Sequence, residues 1–390
     1  MSAPLDGLRV IELARILAGP WTGQILADLG ADVIKVESPD GDDTRKWGPP
    51  FVRGRNGEPL DAAYFHCCNR GKRSIIADFA TEDGRRIVQR LAERSDVLIE
   101  NFKVGGLAKY GLEYAELAKR NPRLIYCSVT GFGQTGPYAC RAGYDFIIQG
   151  MSGIMDLTGE PQGEPQKMGV AFVDIFTGTY GAIAVLAALA QRAQTGVGQR
   201  IDMSLLDSMV GVLANQGLNY LVSGATPRRL GNSHPNIVPY QVFQVRDGHV
   251  IIAVGNDAQF ERLCAYLDLP ALAGDPCFAT NAARVQHRQQ LIPALTERLA
   301  RLTRTEVLQA MEERGVPAGP INTVADVFSD PQVLHRAMRV PLQAPWAQDG
   351  TIPAIRTPIQ FSGAQLAVGR PSPRLGEHGS EIRAELGLAD

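Results

Sequence analysis

The chain has 390 residues, 45% hydrophobic and 21% charged, with a formal net charge of −2. That length holds a large core and suffices for two domains, while the near-neutral charge gives no sign of a basic nucleic-acid surface or a polybasic membrane arm. The start, MSAPLDGLRVIELA, lacks the charged and continuous apolar regions of a secretory leader, and the apolar run 181–190 is too short to span a bilayer; the expectation is a cytoplasmic chain with no nucleic-acid or membrane partner.

In chain order, 8–13 (LRVIEL) reads as a strand, 21–29 as a helix after the AGP break, and 31–37 (ADVIKVE) as a second strand. Strand, helix and strand in so short a span form a βαβ unit, hence a parallel sheet. The alternation repeats: strand 73–78, helix 81–94 capped by Thr81, strand 97–100, helix 113–119 and strand 124–130. The fold class expected is α/β, with a Rossmann-like parallel sheet in a large domain. The turn after the first strand reads ARILAGPWTG. It has no GxGxxG, so dinucleotide binding is unsupported.

Residues 176–194 predict a long Ala-rich helix closed by Gly196, and 202–221 continue as helix. The segment 228–241 is rich in loop formers. Beyond it come a strand at 249–255, helices at 257–267, 285–302 and 305–314, and the turn-rich GVPAGPIN. The layout predicted is a large domain 1–224, completed by 326–390, and a smaller α/β domain 225–325. The six cysteines, Cys67, Cys68, Cys127, Cys140, Cys264 and Cys277, form no CxxC, and no HExxH occurs. Reduced thiols and a metal-free protein are expected.

Asp174, in GVAFVDIFTGTYGA, is delivered by an apolar segment to the start of the long helix. It suits a helix cap or first-turn carboxylate. It equally suits a nucleophile kept ionised by the helix N-terminus. The local sequence does not choose between these readings.

A wider pattern does. LxGxRVIELxxxxAGP, LADLGADVIKVE, GDDTRKWGPP, NRGKRSI, ENF, SVTGFGQTGP, RAGYD, VDIFTGTYGA, TGVGQRIDMSLLDS, GVPAGPIN and LGEHGSEI occur in this order. Together they resemble the class III CoA-transferases of the CaiB/BaiF type, from about residue 5 to residue 388. The resemblance implies that Asp174 attacks an acyl-CoA thioester. An aspartyl anhydride, then an aspartyl-CoA thioester, would carry CoA to a second carboxylic acid. Coenzyme A and acyl-CoA would be substrates, with no tightly bound cofactor and no metal.

The same resemblance places Asn101, Phe102, Lys103 and Lys109 at the adenine and phosphates, and Ala77 to Ala80 at the adenosine. Ile16 and Ser38 fall at nucleotide contacts, and Arg141 and Tyr144 at the pantetheine arm. Ser38 replaces an arginine of some relatives. Formyl-CoA:oxalate transferases carry glutamine at the position of Leu17, which cannot hydrogen-bond an oxalyl group. The related racemases carry a catalytic histidine at the position of Tyr144, whose phenol titrates too high for that role. GDDTRKWGPPFV, NYLVSG and IVPYQ look most like the dicarboxylate branch, including the succinyl-CoA:glutarate type. A distal carboxylate needs a cation or several donors, for which Arg15, Arg45, Arg73 and His234 are candidates. An α-methylacyl-CoA racemase and an inactive CoA-binding protein are the alternatives. Family likeness also implies an interlocked homodimer.

Overall fold

Parallel strands need crossover connections, and the first part of the chain supplies them in alternation. In the computed structural model, which describes residues 2–388, six strands form one sheet. In spatial order they are Arg73–Ile76, Asp32–Glu37, Arg9–Glu12, Val97–Glu100, Ile125–Thr130 and Arg200–Ser204. Every pairing is parallel. The chain order reverses between Arg9–Glu12 and Val97–Glu100. In open sheets of this kind a ligand crevice forms at that switch point, outside the carboxyl ends of the strands.

Successive side chains of the inner strands point to opposite faces, and both faces are apolar, as a sheet covered on both sides requires. Val10, Val33, Val97 and Ile125 pack with Val173, Val185 and Ala188 of the long helix. Ile11, Ile34, Ile75 and Leu98 pack on the other face with Ile87 and Leu91 of helix Glu82–Glu93 and with Ile382 near the C-terminus. Each such valine, isoleucine or leucine side chain contributes about 1.5–3 kcal/mol on burial.

The long helix runs Phe172–Thr195 and is closed by Gly196 at φ 77°. Among the described residues it is the one helix long and apolar enough to cross a membrane, yet one face is spent on the core. It lies close against helix Ala18–Asp28, where Thr22 Oγ1 donates to the Gly178 carbonyl at 2.9 Å.

Three expectations change. Residues 200–204 are a strand rather than part of a helix, because Ile201 and Met203 alternate inward while Arg200 and Asp202 face out. Helices Leu205–Gly211 and Ala214–Ser223 follow it. The chain divides into a first unit of residues 2–154, 167–224 and 334–388 and a second of 155–166 and 225–333, so 155–166 and 326–333 fall in the second. That second unit holds an antiparallel sheet of Tyr240–Val245, Gly248–Ala253 and Ala318–Pro320, and the helix expected over 285–302 breaks at His287. Phe243, Ile252, Leu263 and Leu295 lie in its own core.

Candidate active site

The carboxyl end of the first strand leads through Arg15 and Ile16 into Leu17, the N-cap residue of helix Ala18–Asp28. Ile16 sits at φ 70°, in the left-handed region that β-branched residues rarely adopt. Asn101, at the end of the neighbouring strand, clasps this turn. Its Oδ1 accepts the Arg15 N–H at 2.9 Å and its Nδ2 donates to the Arg15 carbonyl at 2.6 Å.

Asp174 is the third residue of the long helix, in its first turn. It is not the cap. That task falls to Asp145, whose Oδ1 accepts the Val173 N–H at 2.8 Å. Gln149 fixes both this carboxylate and the incoming chain: Nε2 donates to Asp145 Oδ2 at 2.7 Å, and Oε1 accepts the Met168 N–H at 2.8 Å. Asp174 itself has no hydrogen-bond or ion-pair partner among the described residues and is 8% exposed. Burial, joined by the negative charge of Asp145, pushes its pKa up to about 7. Burial and the Asp145 charge thus act against the ionisation expected from the helix N-terminus.

The spacing D-x-x-T-G also has a packing cause. A Cβ built on Gly178 would meet the Ala18 carbonyl oxygen at 2.5 Å and Trp21 Cβ at 2.8 Å. Only glycine lets the two helices approach so closely, and that approach brings the Leu17–Ala18 turn to the cavity that holds Asp174. Thr177 is wholly buried, its hydroxyl without a partner.

A cavity of about 250 Å³ opens at the switch point. Its wall gathers Asp174 with Arg15, Ile16, Leu17, Asn101, Phe102, Lys103, Arg141 and Tyr144. Arg141 stacks over the Tyr138 ring at 3.9 Å. Lys109, Ala77 and Ala80 do not line this cavity: Ala77 is buried in the core, while Ala80 and Lys109 are exposed on the surface. Phe79, between the two alanines, packs against both Phe102 and Tyr110 with ring centroids 5.9 Å apart, and Lys109 lies over the Tyr110 ring at 4.7 Å. Ser38 is exposed at the end of the second strand, with only a 3.5 Å contact to the Gly41 carbonyl.

Two of the arginines named as substrate cations are committed elsewhere. Arg45 is 5% exposed and bridges Glu37 at 2.7 Å and Asp61 at 2.6 Å. Arg73 is 4% exposed and holds Asp32 at 2.6 Å and Glu385 at 2.7 Å, tying the C-terminal helix to the sheet. Their buried pairing makes them structural. Of these three arginines Arg15 lines the cavity, with an exposed partner in Asp43 at 2.7 Å. His234 belongs to the second unit, where Nδ1 accepts the Asn236 N–H at 3.0 Å.

Sequence reasoning missed Asp145, Gln149 and Tyr64. Burial, with Asp174 the next cause, drives the Tyr64 phenol pKa upward. Asp145 could have been suspected, because it stands directly after Tyr144 in RAGYD; its capping role acts across 28 residues and leaves no local signal.

Residues 5–379 match the family model described as CoA-transferase family III. The chain is 58% identical over 385 residues to a succinate–glutarate CoA-transferase of Agrobacterium fabrum, covering 98% of this chain and 96% of that one. A succinyl-CoA:glutarate CoA-transferase of Mus musculus is 42% identical, with 98% and 86% covered. A crystal structure of a CAIB/BAIF family protein from Brucella suis superposes with a TM-score of 0.88 at 62% identity, covering 99% of this chain and 100% of that one. The chain belongs to CoA-transferase family III and is an enzyme that transfers CoA.

Proposed function

We propose that this member of CoA-transferase family III moves CoA from succinyl-CoA to a small dicarboxylate such as glutarate, through covalent chemistry at Asp174. The carrying observation is an unpartnered, buried carboxylate in the wall of the switch-point cavity. Relatives named for succinate and glutarate, aligned over 98% of the chain, support the substrate class.

An Asp174 oxygen attacks the thioester carbonyl, the C–S bond breaks, and CoA leaves as thiolate from a mixed anhydride. The thiolate attacks the aspartyl carbonyl, forming a thioester on Asp174 and releasing succinate. A glutarate oxygen attacks that thioester, the C–S bond breaks to give a glutaryl–aspartyl anhydride and CoA thiolate, and the thiolate attacks the glutaryl carbonyl, forming glutaryl-CoA and freeing the Asp174 carboxylate. Each step exchanges one activated acyl bond for another, the division of labour that nucleophilic catalysis provides. A carboxylate with a pKa of about 7 is ionised in a useful fraction near neutrality and is a better nucleophile than an ordinary aspartate.

Lys103, Arg141 and Tyr144 would meet the phosphates and pantetheine arm, and Phe79, Phe102 and Tyr110 would offer the adenine an aromatic wall. Arg15 is the candidate for the distal carboxylate; Ser38, Ala80 and Lys109 stay as peripheral nucleotide contacts, and Ala77, buried in the core, does not. Leu17, 4% exposed, presents no donor to an oxalyl group, so glutarate is preferred over oxalate. We further propose a cytoplasmic, interlocked homodimer. Exposed Ile183 and Leu186 on the long helix, with Leu221 and Val222 75% and 83% exposed, support an apolar interface.

Incubation with succinyl-CoA and a panel of free acids, followed by mass spectrometry of the thioesters, tests the function. Glutaryl-CoA is expected to form. Turnover of oxalate or formate alone would overturn the preference for glutarate that rests on Leu17. Light scattering on the eluting protein should give twice the chain mass, and a monomer would remove the dimer.

A further inference from the structure

The strained turn beside Asp174 is held from outside its own segment. Left-handed backbone is costly for a β-branched residue such as Ile16 and persists only where the surroundings enforce it. Here each polar main-chain atom from the Ala14 carbonyl to the Ile16 carbonyl has a side-chain partner. Lys35 Nζ donates to the Ala14 oxygen at 2.9 Å. Asn101 takes both polar atoms of Arg15. The Ile16 N–H is shared between the two carboxylate oxygens of Asp42 at 3.3 Å each, and the Cys68 thiol lies 3.6 Å from the Ile16 oxygen.

Asp42 is the centre of this arrangement. It is 1% exposed, sits 2.9 Å from the fully buried Lys35 ammonium, and accepts from Thr44 N–H at 3.0 Å and Thr44 Oγ1 at 2.8 Å. Lys35 is shared with Glu12, which Lys72 also binds. Buried ion pairs return little net stability, so a charge cluster of this size under one strained turn calls for another cause. We infer that Asp42, seated on Lys35, is a positioning residue for CoA transfer, locking Ile16 in its left-handed conformation and so fixing the Leu17–Ala18 backbone beside Asp174. The inference rests on the reading of Asp174 as the reacting group.

A double-mutant cycle of Asp42→Asn and Ile16→Gly, read by steady-state transfer between succinyl-CoA and glutarate, tests it. Asp42→Asn keeps the shape and removes the charge that Lys35 pairs with. It is expected to lower kcat roughly ten- to a hundredfold, the cost of small misplacements near reacting atoms, with KM for succinyl-CoA changed by less than about threefold. Glycine adopts positive φ unaided, so in the Ile16→Gly background the same substitution should cost less than about threefold. Equal losses in both backgrounds, or a change confined to KM or melting temperature, would overturn the inference. Should Asp42→Asn not fold, Thr44→Val loosens the carboxylate more gently. Its expected kcat loss of about threefold should vanish in the glycine background, and persistence of that loss there counts against the inference. Asp174→Ala measured alongside separates the two claims: residual transfer defeats the Asp174 reading, while an inactive Asp174→Ala with equal losses in the cycle defeats only the positioning role.

Discussion

Asp145 caps the helix on which Asp174 rides, accepting the Val173 N–H at 2.8 Å from a segment 28 residues earlier. One carboxylate thus satisfies the helix terminus and leaves the other unpartnered. Its negative charge also adds to burial in raising the Asp174 pKa to about 7. Holding two carboxylates near one another with different tasks is a recurring way of setting a reactive group near neutrality.

The rate of the first half-reaction, measured as CoA release from succinyl-CoA, should therefore rise with pH through an apparent pKa near 7. Asp145→Asn removes a charge and keeps an acceptor, so the inflection should move to lower pH. An unmoved inflection would show that Asp145 does not bear on Asp174.

The same shift has a stability consequence. Burial raises the Asp174 pKa to about 7 in the folded chain, against 3.8 for an ordinary aspartate. The native state therefore retains a proton that the unfolded state has released, and stability falls as pH rises through that window. Asparagine does not titrate. Asp174→Asn should thus melt above the parent at about pH 8, by an equivalent of about 2–4 kcal/mol, and close to it at about pH 4. Thermal melts across pH measure this; parallel melting curves at both extremes would refute the raised pKa.

Much of the first unit was legible because its inner strands are nearly continuous buried runs, as a sheet covered on both faces requires, and its helices carry local signals. Thr81 accepts the Gly84 N–H as expected, and Gly196 closes the long helix. The strand Arg200–Ser204 escaped notice because it is a short edge strand beside helical sequence. Arg45 and Arg73 look like free cations in sequence, and only the folded chain shows the carboxylates that consume them. The lock from Asp42 to Ile16 spans 26 residues, so neither residue announces it locally.

Glycine 178 offers a test of the helix seam. In most helices Gly→Ala adds up to about 1 kcal/mol of stability. At Gly178 the added carbon would meet backbone oxygen at 2.5 Å, and a backbone atom cannot swing aside. Gly178→Ala should therefore destabilise the chain by about 1–3 kcal/mol, the typical cost of overpacking, and reduce kcat. Denaturant melts give the first quantity, and a stabilised variant would contradict the close approach.

The two classes of arginine should separate kinetically. Arg73→Met loses ion pairs to partly exposed carboxylates and should cost about 1–3 kcal/mol of stability after allowance for screening, with KM for glutarate unchanged. Arg15→Met should leave stability nearly intact and raise that KM roughly tenfold, the loss of one charge-assisted contact. Steady-state kinetics with folded variants decide it; a glutarate KM that responds to Arg73 and not to Arg15 would reverse the assignment.

The most direct measurement is peptide mass spectrometry on enzyme quenched with hydroxylamine during turnover of succinyl-CoA and glutarate. An activated acyl group on the protein converts to a hydroxamate, and the account predicts that adduct on Asp174 and its disappearance when succinyl-CoA is omitted. Steady product formation with Asp174 carrying no adduct at any quench time, or an adduct on a different side chain, would contradict it.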